Sequence, residues 1–412
     1  MLTAPNRNAN LSPATPQRNE PVDSRPPLAM FDSSPNARSK TMKTVEGAHT
    51  YGVVNAIPAE PGTYTIGVSE NMGSRRTMED AYSFVIDYAG IQGQGFFAVF
   101  DGHAGKHAAE WCGAHFHETL LDKLVVGSDT KIPETIAETF LAVDSELSKI
   151  SESGTTQSGC TAAMAFLRLE DENGRQSFAP PLATLVQQIT TAPSVSISSS
   201  RSSTPTPPVV STKKEGGKVA RFVGAITGGA SKKPGVEQSP EGGMNPAMKP
   251  EGALRRVLYT ANAGDARAVL SRSGKAVRLT YDHKGSDRKE VRRIQEAGGF
   301  VLNNRVNGVL AVTRSLGDSA MKDYVVGSPY TSTLELNDAD EFLIIACDGL
   351  WDVIEDQPAV EFIRDCTSAQ VAAENLVRYA LDNFSHDNVT VLVIKFGGSG
   401  QRSIIETGRA SS

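Results

Sequence analysis

The sequence predicts an α+β fold, a β-sandwich with helices packed outside it, and two observations carry that prediction. Strand signals come in runs, where a doubly wound parallel sheet would alternate them regularly with helices. Helix signals come in neighbouring pairs, over 108–120 and from 133 onward, then around 358–364 and 368–381. Proline marks the edges: nine of the 22 prolines lie in residues 1–62 and ten in 171–253. Those segments, rich in Ser, Asn, Gly and Pro, cannot bury enough apolar surface to offset the entropy of ordering them. The expected organisation is a disordered N-terminal extension (1–62), a folded domain (63–396) interrupted by a low-complexity insertion at about 171–253, and a disordered tail (397–412).

The elements follow in order. TYTIGV (63–68) and YSFVIDY (82–88) read as strands. Phe96, Phe97, Ala98, Val99 and Phe100 form an apolar run with neither helical nor alternating period, as a strand covered on both faces does, and it ends at once in Asp101, Gly102 and His103. Ala108, Trp111, Cys112, His115, Phe116, Thr119 and Leu120 share one helical face. A second helix opens at Pro133 and carries Ile136, Phe140, Val143 and Leu147 on one side. Residues 160–170 are a strand ahead of the insertion. Beyond it, 255–264, 266–272 and 275–280 read as a meander joined at Gly264-Asp265 and Ser273-Gly274. A charged helix spans 286–297, with Ser286 as N-cap and Gly298-Gly299 as its stop. FLIIAC (342–347) is a strand running into Asp348, and VTVLVIKF (389–396) is the last strand, preceded by His386-Asp387-Asn388.

With 412 residues and a hydrophobic fraction of 39%, the chain can bury a large core. A net charge of −6 argues against nucleic acid or an anionic membrane as main partner. No apolar run approaches the ~20 residues needed to span a bilayer, and no signal-peptide pattern opens the chain. Cys112, Cys160, Cys347 and Cys366 form no CxxC pair and read as reduced thiols. A soluble intracellular monomer, cytoplasmic or nuclear, is the expectation.

The chemistry lies at the strand ends. Asp101 and Asp348 end apolar strands, Asp387 precedes one, Glu79 and Asp80 precede another, and Asp265 begins one. Acids gathered at one sandwich edge repel each other and cannot all stay ionised without a counter-charge. A set of carboxylates, glycine carbonyl and water suits Mg²⁺ or Mn²⁺ in preference to zinc, and no HExxH or CxxC pattern offers a zinc site. Two such ions bridged by one carboxylate bring the pKa of a shared water toward neutrality.

RRTMEDAY, VFDGHAG, SGCTA, ANAGDARAV, DHK, IQEAGG, RVNGVLAVTRSLGD, ACDGLWDV and HDNVTV occur in this order over 63–170 and 254–396. On these motifs the chain resembles the protein phosphatase 2C family, metal-dependent phosphatases of phosphoserine and phosphothreonine in proteins. The resemblance implies two antiparallel sheets flanked by helices, with a flap beside the metal site between Asp282 and Arg305. It implies that Asp101 bridges two Mn²⁺ or Mg²⁺ ions and that the Gly102 carbonyl binds one of them. Glu79 would bind that ion directly or through water, with Asp80 orienting its waters, while Asp348 and Asp387 hold the other. Asp265 and Asp352, with Asp348, match a weaker third-metal site. Arg75, or adjacent Arg76, would bind the substrate phosphate. His103 would protonate the leaving oxygen; the alternative is a residue that only orders water. Arg305 would touch the peptide or a second phosphate, or form a salt bridge within the flap. Asp318 is expected in a structural role at a turn.

The function so implied is hydrolysis of phosphoproteins, with opposition to stress-activated MAP kinases as the further expectation from fungal and other eukaryotic members. The rivals are a pseudophosphatase that only binds partners, which would lack a metal ligand, and a hydrolase of small phosphate esters. The Ser-Pro and Thr-Pro pairs at 12, 15, 34, 204, 206 and 239 fit a proline-directed kinase acting nearby. The insertion carries nine Lys and Arg against six Asp and Glu, which suits an arm that docks on an acidic surface.

Overall fold

A computed structural model describes residues 41–43, 49–55, 63–126, 131–154, 157–177 and 254–397. Its first sheet contains β1 (Thr41–Lys43), β2 (His49–Val54), β4 (Ala81–Ile86), β5 (Gly95–His103), β6 (Gly159–Glu170), β7 (Arg255–Ala263) and β13 (Tyr330–Leu336), in that spatial order, with β12 (Leu316–Gly317) also on β6. The second runs β3 (Tyr64–Asn71), β15 (Val389–Phe396), β14 (Asp340–Ala346), β8 (Arg267–Arg272) and β9 (Lys275–Arg278). All pairings in both sheets are antiparallel.

The period-two geometry of a strand explains the unbroken apolar run of β5. Phe97 and Val99 point between the sheets with Leu343 and Ile345 of β14 and Leu392 and Ile394 of β15. Phe96, Ala98 and Phe100 point the other way, against Phe116 and Leu120 of α1 (His107–Val126) and Phe140 of α2 (Ile132–Glu152). The opposite layer packs Ile344, Val391 and Val393 against Leu376 and Val377 of a C-terminal helix (Ala369–Asp382). Phe96, Phe97 and Phe100 are wholly buried, each contributing roughly 1.5–3 kcal/mol to folding. The order is therefore helices, sheet, sheet, helices, as the sequence predicts.

Four details differ from the sequence reading. The stretch 255–280 is not one meander: β7 and β8 lie in different sheets, and the chain crosses the sandwich at Gly264, whose φ of +103° an L side chain rarely adopts. Turn residues mark a corner and a hairpin alike; the sheet joined is decided by distant partners. The charged helix α3 (Arg288–Glu296) is capped by Asp287, not Ser286, because the Asp287 carboxylate accepts from the Lys289 N–H at 2.8 Å. Ahead of residue 63, β1 and β2 extend the first sheet beside β4, and Asn55 exchanges hydrogen bonds with the Phe84 backbone. The extension thus includes strand where disorder is expected. The insertion opens with a turn in which Asp171 accepts from the N–H groups of Asn173 and Arg175; the insertion from 178 to 253, the tail from 398 and most of 1–62 lie outside the described residues.

The remaining helices are α4 (Asp348–Trp351), α5 (Asp356–Ile363) and α6 (Ala369–Asp382). The flap carries α3 and a small hairpin, β10 (Val301–Leu302) with β11 (Arg305–Val306).

Candidate metal centre

Register brings the chemical residues to one edge. Ala81, which starts β4, pairs with Phe100 near the end of β5; Phe100 pairs with Ala162 of β6, and Ala162 with Ala263, the end of β7. In the second sheet the end of β14 pairs with the starts of β8 and β15, and Asn71 at the end of β3 pairs with Val389. Asp80, Asp101, Asp265, Asp348 and Asp387 each lie beside one of these strand ends, so antiparallel pairing alone gathers acids from across the chain.

Asp101, Asp265 and Asp348 each offer a carboxylate oxygen within 4.8 Å of the others. Burial raises Asp101 well above the ordinary carboxylate range, and the charges of Asp348, Asp80, Asp265 and Asp387 raise it further. Asp348 is raised the same way, by burial and then by Asp265, Asp352 and Asp387. Burial pushes Asp265 to about 6 although Lys284 opposes it, and pushes Asp80 to about 7 against the hydrogen bond from the Thr390 hydroxyl. One oxygen of Asp265, Oδ1, is buried with no hydrogen-bond partner. A crowded, partly buried, all-oxygen set with an orphaned carboxylate oxygen fits a hard divalent cation.

Gly102 is required by closeness. A Cβ there would sit 2.2 Å from the Glu79 carbonyl oxygen, so the backbone of β5 and the loop before β4 touch directly. Asn388 holds that loop. Its Oδ1 accepts from the Glu79 N–H at 2.8 Å, and its Nδ2 donates to the carbonyls of Met72 and Thr77 at 2.9 and 3.1 Å. Glu79 itself accepts from the Thr77 hydroxyl at 3.1 Å.

Arg75 donates to Asp387 Oδ2 at 2.6 Å while Ser74 donates to the His386 carbonyl. Arg75 and not its neighbour Arg76 is therefore the arginine turned to the acids. His103 Nε2 stands 2.7 Å from Asp318 Oδ2, and the Ser315 hydroxyl donates to the same oxygen. Asp318 does sit at a turn, with φ 49°, but its carboxylate also fixes the His103 ring. A Cβ on Gly159 would meet that carboxylate at 2.3 Å, so Gly159 makes room for it.

Two predicted residues lie outside that trio, although the charge of Asp352 still raises Asp348 and Asp265. Asp352 is exposed and accepts from Lys284 at 3.0 Å. Arg305 stays within the flap, its guanidinium donating to the Val309 carbonyl at 2.8 Å, with no ion pair among the described residues. The sequence reading placed Asp265 only with the weaker site; the structure groups it with Asp101 and Asp348. Lys284 and the clasp role of Asn388 were missed, although both lie in motifs, DHK and HDNVTV, that drew attention for other residues.

A family model described as Protein phosphatase 2C matches residues 64–171 and 249–389, a span that includes every acid named above. The chain is 40% identical over 335 residues to "Protein phosphatase 2C homolog 1" of Saccharomyces cerevisiae, covering 81% of this chain and 93% of that protein. It is 37% identical over 356 residues to the Schizosaccharomyces pombe protein of the same name, covering 86% and 79%. Among solved structures, serine-threonine phosphatase 2C from Toxoplasma gondii superposes with a TM-score of 0.55 at 18% identity, over 85% of this chain and 100% of that one, a likeness of fold. The sandwich, the acids at its edge and these matches together place the chain in the protein phosphatase 2C family, as a metal-dependent protein serine/threonine phosphatase.

Proposed function

We propose that the acidic edge hydrolyses phosphoserine and phosphothreonine with two divalent cations, Mn²⁺ or Mg²⁺, held by Asp101 between them, by the Gly102 carbonyl and Glu79 on one side and by Asp348 and Asp387 on the other. Bound there, the cations supply the charge that lets these acids ionise together and that acidifies the attacking water. Asp80 orients water beside Glu79. Arg75 presents a planar, always-charged fork to the substrate phosphate, for which it exchanges Asp387. Water attacks phosphorus and releases one proton to solvent, the bond to the serine or threonine oxygen breaks, and His103 delivers a proton to that oxygen as it leaves and regains one from solvent. Asp318 keeps the His103 ring aimed for that transfer. Asp352 and Asp265 flank a weaker cation position beside Asp348, and Arg305 on the flap meets the peptide.

The single observation that carries this reading is the approach of Asp101, Asp265 and Asp348 within 4.8 Å, with Asp265 Oδ1 lacking any partner. It is tested by phosphate release from phosphoserine and phosphothreonine peptides while Mn²⁺ is titrated against EDTA. Small phosphate esters run in parallel separate a protein phosphatase from a metabolite hydrolase. A monomer working in cytoplasm or nucleus against stress-activated MAP kinases belongs to the same reading. Its support is the family resemblance together with the Ser-Pro and Thr-Pro pairs of the chain.

A further inference from the structure

Lys284 stands where the acidic cluster meets the neck of the flap. Its backbone bridges Val312, so it closes the loop that carries α3 and the β10–β11 hairpin. Its ammonium reaches the other way, 3.0 Å from Asp352 Oδ1 and 3.7 Å from Asp265 Oδ2. Asp265 is 5% exposed, and its other oxygen, Oδ1, has no hydrogen-bond partner. One carboxylate therefore faces a lysine with one oxygen and holds the other unsatisfied in the cluster.

We propose that the Lys284 ammonium is an internal counter-ion that holds the place of an additional divalent cation among Asp265, Asp348 and Asp352, so that cation entry and retraction of Lys284 are one competitive event. The inference rests on the metal-centre reading above and adds to it a cause for weak binding at this position. Three carboxylates at a partly buried edge attract a cation strongly, but a fixed positive charge 3 to 4 Å from two of them offsets that attraction. Lysine suits the role. Its charge is compact and its stem flexible, so it can swing to solvent when displaced, where an arginine fork would be held by several hydrogen bonds. The Lys284 side chain is already about one-third exposed, which leaves it that path. The backbone bridge to Val312 does not depend on the ammonium, so the flap neck stays closed while the side chain moves.

Mn²⁺ binding to the full chain, counted from free Mn²⁺ by electron paramagnetic resonance at neutral pH, tests this without turnover. Lys284→Met should leave the tight class of sites unchanged and strengthen the weakest class on the order of ten-fold, the effect of removing one nearby charge. Adding Asp352→Asn to Lys284→Met should reverse the gain. An unchanged or weaker weakest class in Lys284→Met overturns the proposal. Should that variant misfold, the wild-type chain still decides: reductive methylation of Lys284, followed by mass spectrometry, should accelerate when the weakest class fills, and an unchanged or slower rate overturns the proposal. Failure of the wild type to bind any Mn²⁺ would overturn the metal-centre reading as well, whereas intact tight binding with no response to Lys284 removes only the present inference.

Discussion

Arg75 and Asp387 are joined at 2.6 Å by a guanidinium–carboxylate bond, so the candidate phosphate ligand and a candidate metal ligand satisfy each other. Both side chains are more than one-third exposed, and the pair contributes little to stability. It can therefore exchange partners at low cost. A cation held by Asp387 would release Arg75, which would then face the substrate with its charge unpaired.

Arg75→Ala should raise KM for a phosphopeptide on the order of ten-fold or more, the loss of a charge-assisted bidentate contact. Mn²⁺ affinity should hold or rise, because Asp387 loses a competing cation. Steady-state kinetics beside a Mn²⁺ binding curve measure both. A variant with normal KM would remove Arg75 from phosphate binding.

His103→Gln should slow hydrolysis of alkyl phosphates, which need a proton on the leaving oxygen, far more than that of aryl phosphates, which do not. Asp318→Asn should show the same pattern with a smaller loss, since it leaves the imidazole present but less well aimed at 2.7 Å. Equal losses on both substrate classes, for either variant, would contradict the assigned roles.

The flap has its own electrostatic anchor. Glu290 on α3, nearly buried, accepts from Arg314 at 2.5 and 3.1 Å and from Arg293 at 3.0 and 3.1 Å, and these arginines also hold the carbonyls of Thr313, Tyr324 and Ser328. Burial alone would raise the Glu290 pKa, but the two arginines outweigh it and bring it down to about 2. A carboxylate lowered on folding stabilises the protein above its unfolded pKa of roughly 4.3, and that stability is lost as pH falls toward 2. Amide protection in the flap, taken relative to the intrinsic exchange rate at each pH, should therefore fall between about pH 4 and pH 2, and Glu290→Gln should show low protection already at neutral pH. A flap equally protected in the variant would show that the staple is not what holds it.

Much of this fold is legible in local sequence. FFAVF and VTVLVIKF announce strands buried on both faces, and the acids at their ends announce a cation site. What local sequence does not carry is which distant residue each acid meets. His103 and Asp318 are 215 residues apart, and no periodicity or turn signal links them. The crossing of the chain at Gly264 looks in sequence like a hairpin, because its turn residues serve either geometry. Lys284 reads as one charge among many until the fold sets it between Asp265 and Asp352.

The most direct test is a pair of measurements on one variant, Asp101→Asn: peptide dephosphorylation with saturating Mn²⁺, and thermal stability without metal as a function of pH. Burial and neighbouring acids raise the carboxylates of Asp101 and Asp348 well above their ordinary range, and raise those of Asp265 and Asp80 to about 6 and 7. Acids raised on folding favour the folded state below their unfolded pKa near 4 and lose that contribution as pH rises through the folded values. The metal-free wild type should thus weaken between about pH 4 and pH 7, and Asp101→Asn, with one charge fewer in the cluster, should weaken less. The expected result is a variant that is folded, at least as stable as wild type at neutral pH without metal, and devoid of Mn²⁺-dependent phosphate release. Wild-type turnover in the variant, or undiminished turnover of the wild type in EDTA, would contradict a metal centre built on Asp101.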